Sequence, residues 1–192
     1  MPEGDPRQAF EAAGAFLHGH FTYTSGRHGT DYVEKFRILE DPAATTQLAE
    51  KIVQRFRDSG VQLVAGPTTG GVILAYEVAR QLGVKAVYAE RGPSGGRVLR
   101  RGFAVPPRAR VLIVDDVVTT GGSVRDMLDC VRKAGGDVAG VGVLGDRTGG
   151  RLELDLPFFS CLTLDFPSYP PESCPLCAAG MPTEVPRGSG NS

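Results

Sequence analysis

The segment from Val111 to Ser123, which reads VLIVDDVVTTGGS, constrains the fold of this chain more than any other feature. Its first four residues, 111–114, are apolar and predict a strand that passes through a core. Asp115 and Asp116 follow at the predicted end of that strand, and the small and hydroxyl-bearing residues 119–123 predict a turn that opens a helix. Backbone N–H groups in such a turn favour a phosphate, and two adjacent carboxylates suit the vicinal hydroxyls of a ribose. The open alternative is a capped strand-to-helix turn with solvated aspartates.

Short apolar runs alternate with stretches of helical periodicity along the chain. The predicted strands are 61–65, 84–89, 111–114 and 138–144, and the predicted helices are 42–60, 72–82 and 123–134. This alternation predicts βαβ units, and therefore an α/β fold with a mainly parallel sheet flanked by helices. Ligands of such sheets bind at the carboxyl ends of the strands, which is where the acidic pair is predicted to lie.

The 111–123 segment resembles the PRPP (5-phosphoribosyl 1-pyrophosphate) motif of the type I phosphoribosyltransferase family. The resemblance implies that family's fold in a single domain over residues 1–192, with a small N-terminal hood, mainly 14–40. It also implies that Asp115 and Asp116, as catalytic residues, hold the ribose hydroxyls, and that the following loop holds the 5′-phosphate. The PRPP-binding residues that it implies are Arg91, Asp115, Asp116, Val117, Val118, Thr119, Thr120, Gly121, Gly122 and Ser123.

Other stretches resemble the orotate phosphoribosyltransferases within that family. They are residues 14–39 with the turn SGRH at 25–28, residues 66–83, the triplet Gly145-Asp146-Arg147, and a CPLC tail typical of one bacterial branch. The resemblance implies a pentosyltransferase that converts PRPP and orotate to orotidine 5′-phosphate and pyrophosphate in UMP synthesis. It places Tyr32, Thr119 and Arg147 on orotate, and a planar guanidinium suits a carboxylate.

Blander interpretations stay open for several of these residues. Arg147 could alternatively form a surface ion pair with Asp146 or Glu153. Tyr32 could be a half-buried strand residue, and residues 25–28 could form an ordinary turn without a ligand. For the whole chain, the alternatives are a phosphoribosyltransferase for another nucleobase and a non-catalytic regulator that senses PRPP.

The segment 92–102, GPSGGRVLRRG, contains four glycines and three arginines, and nothing in it predicts a packed element. It is either a solvated hairpin or a mobile loop that covers a site, and we expect the mobile loop, with Arg97, Arg100 and Arg101 as its functional residues. Many orotate enzymes carry lysine and histidine in this loop, and this chain has neither there. Thr24 stands where a lysine is often found, with Lys35 downstream, and Thr69-Gly70 replaces a frequent Tyr-Lys pair. The missing loop lysine and histidine slightly favour the regulator, whereas the retained Arg147 and SGRH turn count against it.

The resemblance implies Mg²⁺ as cofactor and a homodimer whose subunits share their active sites through Arg91 and the loop arginines. The net charge of −1 predicts no nucleic-acid partner and no attraction to an anionic membrane. An apolar run of about 18 residues would be needed to span a bilayer, and the sequence has none. The N-terminus MPEGDPRQ does not resemble a secretory signal, so we expect a cytoplasmic protein.

Four cysteines are present, and Cys130 falls in a predicted helix as a small core residue. Cys174 and Cys177 form the CPLC unit, which supplies two of the roughly four ligands of a structural zinc site. The unit is therefore either a turn with two thiols or part of a metal site completed elsewhere, for example by a second subunit, and no metal ligand is assigned with certainty. The tail 171–192 is expected to be partly disordered, above all in its final RGSGNS.

Overall fold

The structure is a computed structural model that describes residues 4–186. Its helices are α1 (Pro6–Ala12), α2 (Phe36–Leu39), α3 (Pro42–Phe56), α4 (Gly70–Leu82), α5 (Gly122–Lys133) and α6 (Pro175–Ala178). Its strands are β1 (Phe16–Thr22), β2 (His28–Val33), β3 (Leu63–Pro67), β4 (Lys85–Arg91), β5 (Arg97–Leu99), β6 (Arg110–Val118), β7 (Asp137–Asp146), β8 (Phe158–Thr163) and β9 (Ser168–Tyr169).

Six of the strands form a central sheet in the order β5-β4-β3-β6-β7-β8. Neighbouring strands are parallel, except that β5 runs antiparallel to β4. The predicted α/β fold with a mainly parallel sheet and flanking helices is therefore confirmed. None of the helices within residues 4–186 has both the length and the apolar character needed to cross a membrane.

Side chains alternate between the two faces of the central strands, and this alternation divides the core in two. Val64 and Leu112 face a cluster with α3 and α4, whereas Ala65 and Ile113 face a second cluster with α5. Both faces of the sheet are covered, which explains why its strands read as continuous apolar runs. Helix α3 begins as predicted, because the Asp41 carboxylate accepts hydrogen bonds from the backbone N–H groups of residues 43 and 44.

The remaining strands form a small antiparallel sheet in the order β1-β2-β9. Strands β1 and β2 come from the expected hood segment 14–40, and β9 reaches them from the C-terminal part of the chain. Residues after β9 also contact this hood, since the backbone of Glu184 accepts a hydrogen bond from Thr22 and donates one to the carbonyl of His20. The disorder predicted for RGSGNS concerns residues 187–192, which lie outside the described residues.

Two differences from the sequence-based prediction concern the surroundings of the acidic pair. The strand predicted to end at Val114 was placed too short, because β6 continues to Val118 and pairs with β7 up to Val118–Asp146. Asp115 and Asp116 therefore lie within a strand and not after it. The sequence predicts no packed element in the segment 92–102, and this prediction is wrong for residues 97–99. These residues form β5, which pairs with β4 through Glu90 and Val98 and makes a hairpin. Whether this hairpin moves stays a prediction.

Candidate active site

The acidic pair is buried at the carboxyl end of β6. Asp115 is 6% exposed and Asp116 is 3% exposed. The Asp115 carboxylate accepts a hydrogen bond from the backbone N–H of Asp116, and the Asp116 carboxylate accepts one from Val117. Burial, reinforced by the charge of Asp116, raises the pKa of Asp115 to about 7. The Asp115 carboxyl therefore tends to hold its proton in the free protein.

Lys35, which follows β2 in the hood, closes over the acidic pair. Its Nζ lies 3.0 Å from each carboxylate oxygen of Asp116. Burial would lower the pKa of Lys35, but the charge and hydrogen bond of Asp116 outweigh it and raise that pKa. Lys35 is not predicted as a site residue from the sequence, in which it stands downstream of Thr24. The available signal was that Lys35 is the sole lysine among the first 50 residues.

The predicted phosphate turn connects β6 to the first turn of α5. Gly121 takes the left-handed conformation, with φ of 79°, just before the helix begins at Gly122. The backbone N–H groups of the first turn of α5 have no partners within the helix, as is general at helix N-termini, and they carry partial positive charge. This arrangement suits a phosphate group at residues 119–123.

Arg97 of the β4–β5 hairpin connects this turn with the segment that follows β3. Its guanidinium donates to the hydroxyl of Thr68 at 3.0 Å and to that of Ser123 at 3.4 Å. Thr68 and Thr69 line a cavity of about 520 Å³ together with Arg91 and Arg101. Arg101 is held by Glu90 at 2.7 Å, whereas Arg100 is exposed.

Glycines let the segment after β3 lie close to the acidic pair. A Cβ at Gly70 would overlap the Asp116 carboxylate. A Cβ at Gly66 would overlap the backbone of Gly71, and one at Gly71 would lie 2.5 Å from the ring of Pro67. The end of β3, the segment that follows it and the start of α4 therefore pack closely together. This packing brings residues 68–70 next to β6.

A second cavity, of about 370 Å³, lies between the hood and the carboxyl ends of β4, β6 and β7. The side chains that line it come from both parts of the fold: Tyr23, Thr24, Tyr32, Val33, Lys35, Arg91, Val117, Thr119, Arg147 and Pro186. Three cationic side chains thus face one pocket with aromatic walls. The sequence-predicted residues Tyr32, Thr119, Arg147 and Arg91 are brought together here.

Arg147 lies among aromatic rings at the wall of this cavity. Its guanidinium carbon is 4.9 Å from the ring centroid of Tyr23 and 5.7 Å from those of Tyr32 and Phe166. Its backbone N–H donates to Val118. Burial raises the pKa of Tyr23 and of Tyr32, so both phenols stay protonated at neutral pH.

The SGRH turn contributes less to this cavity than the resemblance implied. Arg27 donates to the side chain and the backbone carbonyl of Ser168 in β9. His28 points to His20 and Cys177. Tyr23 and Thr24, which precede the turn, line the cavity in their place.

Comparisons with known proteins agree with this geometry. The family model described as "Phosphoribosyl transferase domain" matches residues 37–170. The orotate phosphoribosyltransferase of Pelotomaculum thermopropionicum is 47% identical over 177 residues, which cover 92% of this chain and 93% of that protein. The orotate phosphoribosyltransferase of Chlorobaculum parvum is 42% identical over 192 residues, or 100% of this chain and 99% of that protein. The solved structure of the orotate phosphoribosyltransferase from Aeropyrum pernix superposes with a TM-score of 0.70 at 28% identity, covering 82% of this chain and 92% of that chain.

Proposed function

This chain belongs to the phosphoribosyltransferase family, and from that membership we propose that it transfers ribose 5-phosphate from PRPP to orotate. The products are orotidine 5′-phosphate and pyrophosphate, and the step belongs to UMP synthesis. The observation that carries the proposal is the cavity of about 370 Å³, in which Arg147 and the aromatic walls of the hood face the acidic pair's partner Lys35. The relatives named orotate phosphoribosyltransferase span nearly the whole chain.

Recognition of orotate follows from the chemistry of the cavity. Orotate is a planar anion, and its carboxylate suits the planar guanidinium of Arg147. The rings of Tyr23 and Tyr32 lie within cation–π distance of this guanidinium and help to hold it at the cavity wall. Thr119 lines the same cavity and offers a hydroxyl to the base.

PRPP occupies the strand ends beside this cavity in the proposal. Asp115 and Asp116 accept hydrogen bonds from the two ribose hydroxyls, and residues 119–123 hold the 5′-phosphate at the start of α5. Arg97 and Arg91 line the side where Thr68 and Thr69 lie, and their charge offsets that of the leaving pyrophosphate. The bond from the ribose C1 to pyrophosphate breaks as the bond to N1 of orotate forms, and the N1 proton leaves to solvent or to pyrophosphate.

We include Mg²⁺ in this proposal. The donor set fits it, because the two buried carboxylates offer hard oxygen ligands of the kind that Mg²⁺ prefers and PRPP brings phosphate oxygens to the same place. When bound, the ion neutralises charge on the pyrophosphate oxygens. The chain's own part is to position the two substrates and to exclude water between hood and sheet.

A homodimer in the cytoplasm is also part of the proposal. Ile73 and Tyr76 on α4 are 42% and 68% exposed, which supports an interface on this helix. None of the four cysteines, all of which lie within the described residues, forms a disulfide, which is consistent with a reducing compartment. Arg91, Arg97 and Arg101 contact the site of their own chain, so sharing between subunits concerns Arg100 first.

The direct test is turnover against a panel of bases. The protein is incubated with PRPP, Mg²⁺ and one of orotate, uracil, adenine, hypoxanthine or guanine, and pyrophosphate release and the nucleotide product are followed. We expect turnover with orotate and roughly 10- to 150-fold less with the others, since losing a charged contact costs about 1.5–3 kcal/mol. The double variant Asp115→Asn/Asp116→Asn serves as the inactive control. Turnover with a purine but not with orotate would remove the proposal.

A further inference from the structure

A second cluster of reactive side chains lies in the hood, outside the cavity that we assign to the substrates. It consists of His20 on β1, His28 on β2, and the CPLC pair Cys174 and Cys177. The four potential ligand atoms all lie within 4.8 Å of one another. We propose that this cluster binds one Zn²⁺ ion, which fastens the C-terminal segment 171–186 to the hood.

Four of the six separations between these atoms are close to those of a tetrahedral zinc site, and all six are within 4.8 Å. His20 Nε2 lies 3.2 Å from His28 Nδ1, 3.4 Å from Cys174 Sγ and 3.7 Å from Cys177 Sγ. His28 Nδ1 lies 3.2 Å from Cys177 Sγ. Zinc bonds of about 2.0–2.1 Å to nitrogen and about 2.3 Å to sulfur put tetrahedral ligands about 3.3–3.8 Å apart. The side chains therefore surround a point at which an ion fits.

Hydrogen bonds between the four side chains account for the geometry of the cluster less well than a bound metal ion does. The Nδ1 of His20 lies 2.9 Å from the carbonyl oxygen of Met181, which can only accept, so this nitrogen carries the proton. The Nε2 of His20 then has a single lone pair but three close neighbours. A central cation satisfies all of these groups at once. The contact to Met181 is also the kind of outer hydrogen bond that orients a histidine ligand.

The chemistry of the donor set selects zinc. Two thiols and two imidazoles in tetrahedral arrangement are the ligands of structural zinc sites, whereas Mg²⁺ and Ca²⁺ prefer oxygen. His20, His28 and Cys174 are buried, and Cys177 closes the site at the surface. With four protein ligands the site is full, which is typical of a structural role and not of a catalytic one.

The site has a consequence for the substrate cavity. His20 and His28 flank the β1–β2 turn, which carries Tyr23 and Thr24 into the cavity wall. Pro186, beyond the CPLC unit, lines the same cavity. The ion would therefore hold both parts of this wall in place, so its removal should loosen the wall without touching the acidic pair.

The experiment measures metal content in tag-free protein purified under reducing conditions. We expect one zinc per chain by elemental analysis, and Co²⁺ reconstitution should give the visible absorption of a tetrahedral site with thiolate ligands. Cys174→Ser/Cys177→Ser and His20→Asn should bind zinc at least about 100-fold more weakly, since even loss of an outer hydrogen bond costs about 10- to 100-fold. The matched controls are Cys161→Ser and His18→Asn, and both should keep the zinc.

These readouts do not depend on turnover, so the zinc site and the proposed function can fail separately. The single variant Cys177→Ser replaces an exposed ligand, and the Co²⁺ spectrum is taken on the unaltered chain, so misfolding of the double variant does not decide the outcome. Wild-type protein that contains no zinc and takes none up with its thiols reduced would overturn the proposal. Zinc that persists in Cys174→Ser/Cys177→Ser, or a Cys174–Cys177 disulfide without metal under these conditions, would overturn it as well.

Discussion

The Nζ atom of Lys35 lies 3.0 Å from both carboxylate oxygens of Asp116. One residue belongs to the hood and the other to the central sheet, so this ion pair joins the two parts of the fold at the proposed ribose site. Both side chains are largely buried, and loss of one partner would leave the other charge without compensation. Substrate binding must therefore be accommodated around an existing charge pair.

Lys35→Met should weaken the use of PRPP. Without the ammonium group, the buried carboxylates favour their protonated forms, which accept hydrogen bonds from ribose hydroxyls less well. We expect kcat/KM for PRPP to fall by roughly 10- to 150-fold, the equivalent of about 1.5–3 kcal/mol for a charged hydrogen bond. The matched control is Lys85→Met, at an exposed position on β4, and it should behave as wild type. An unchanged kcat/KM in Lys35→Met would exclude a role for Lys35 in PRPP binding.

Asp115 should make the stability of the free protein fall as the pH rises from about 4 to 7. Its pKa is raised from 3.8 to about 7 by burial, so the folded state binds the proton more tightly than the unfolded state. This contribution is fully present below pH 3.8 and is lost as the pH rises through about 7. At about 1.4 kcal/mol per pKa unit the loss is at most about 4 kcal/mol.

Urea unfolding of wild type and of Asp115→Asn at pH 5 and pH 8 isolates this effect. Asn cannot ionise, so the variant should lose less stability than wild type between the two pH values. Equal losses in both proteins would mean that Asp115 is not the group that titrates.

Arg147→Ala should raise the KM for orotate more than the KM for PRPP. The guanidinium lies among Tyr23, Tyr32 and Phe166 in the cavity that we assign to the base. A rise of roughly 10-fold or more is expected for orotate. Arg132→Ala, at an exposed position on α5, is the control. Equal effects on both substrates would identify Arg147 as a structural residue.

The hairpin at 92–102 should become protected when PRPP binds. In the free protein, trypsin should cut after Arg100 or Arg101, which are exposed at the hairpin's end. Mg²⁺-PRPP should slow this cleavage, because the ligand adds contacts to Arg97 and closes the hairpin over the site. The variant Asp115→Asn/Asp116→Asn should show no protection at the same PRPP concentration. Cleavage of wild type that is unaffected by saturating ligand would indicate a passive hairpin.

Mixing of inactive variants tests whether subunits share their sites. Light scattering should first show a dimer. Under subunit exchange, Arg100→Ala mixed with Asp115→Asn/Asp116→Asn should regain activity, because symmetry brings an intact Arg100 to an intact acidic pair. Arg97→Ala mixed with the same aspartate variant should stay inactive, since Arg97 contacts its own chain. A monomer, or two inactive mixtures despite verified exchange, would contradict site sharing.

The sequence predicted the centre of the fold well, because buried parallel strands are continuous apolar runs bounded by glycine and proline. It failed at the end of β6, where aspartates interrupt the apolar pattern but the ladder to β7 continues. It also failed at β5, since a three-residue strand with two glycine neighbours carries too little pattern to be recognised.

The candidate site was predictable only where its residues are contiguous. The turn at 119–123 and the acidic pair stand together in the chain, whereas Lys35 reaches Asp116 from 81 residues away. The CPLC unit showed two of its four proposed ligands, and the others lie 154 and 149 residues before their cysteine partners. A weak signal was present, because all three histidines of the chain fall between residues 18 and 28.

The backbone contacts of Gly66, Gly70 and Gly71 set the mutational tolerance of the segment after β3. Alanine, the smallest change available, already introduces an atom that overlaps backbone, ring or carboxylate at these positions. In a library of random substitutions selected for growth, these codons should be depleted of all replacements. The hydroxyl residues 68 and 69 beside them should accept some, so new substrate preferences could arise there while the glycine framework stays fixed.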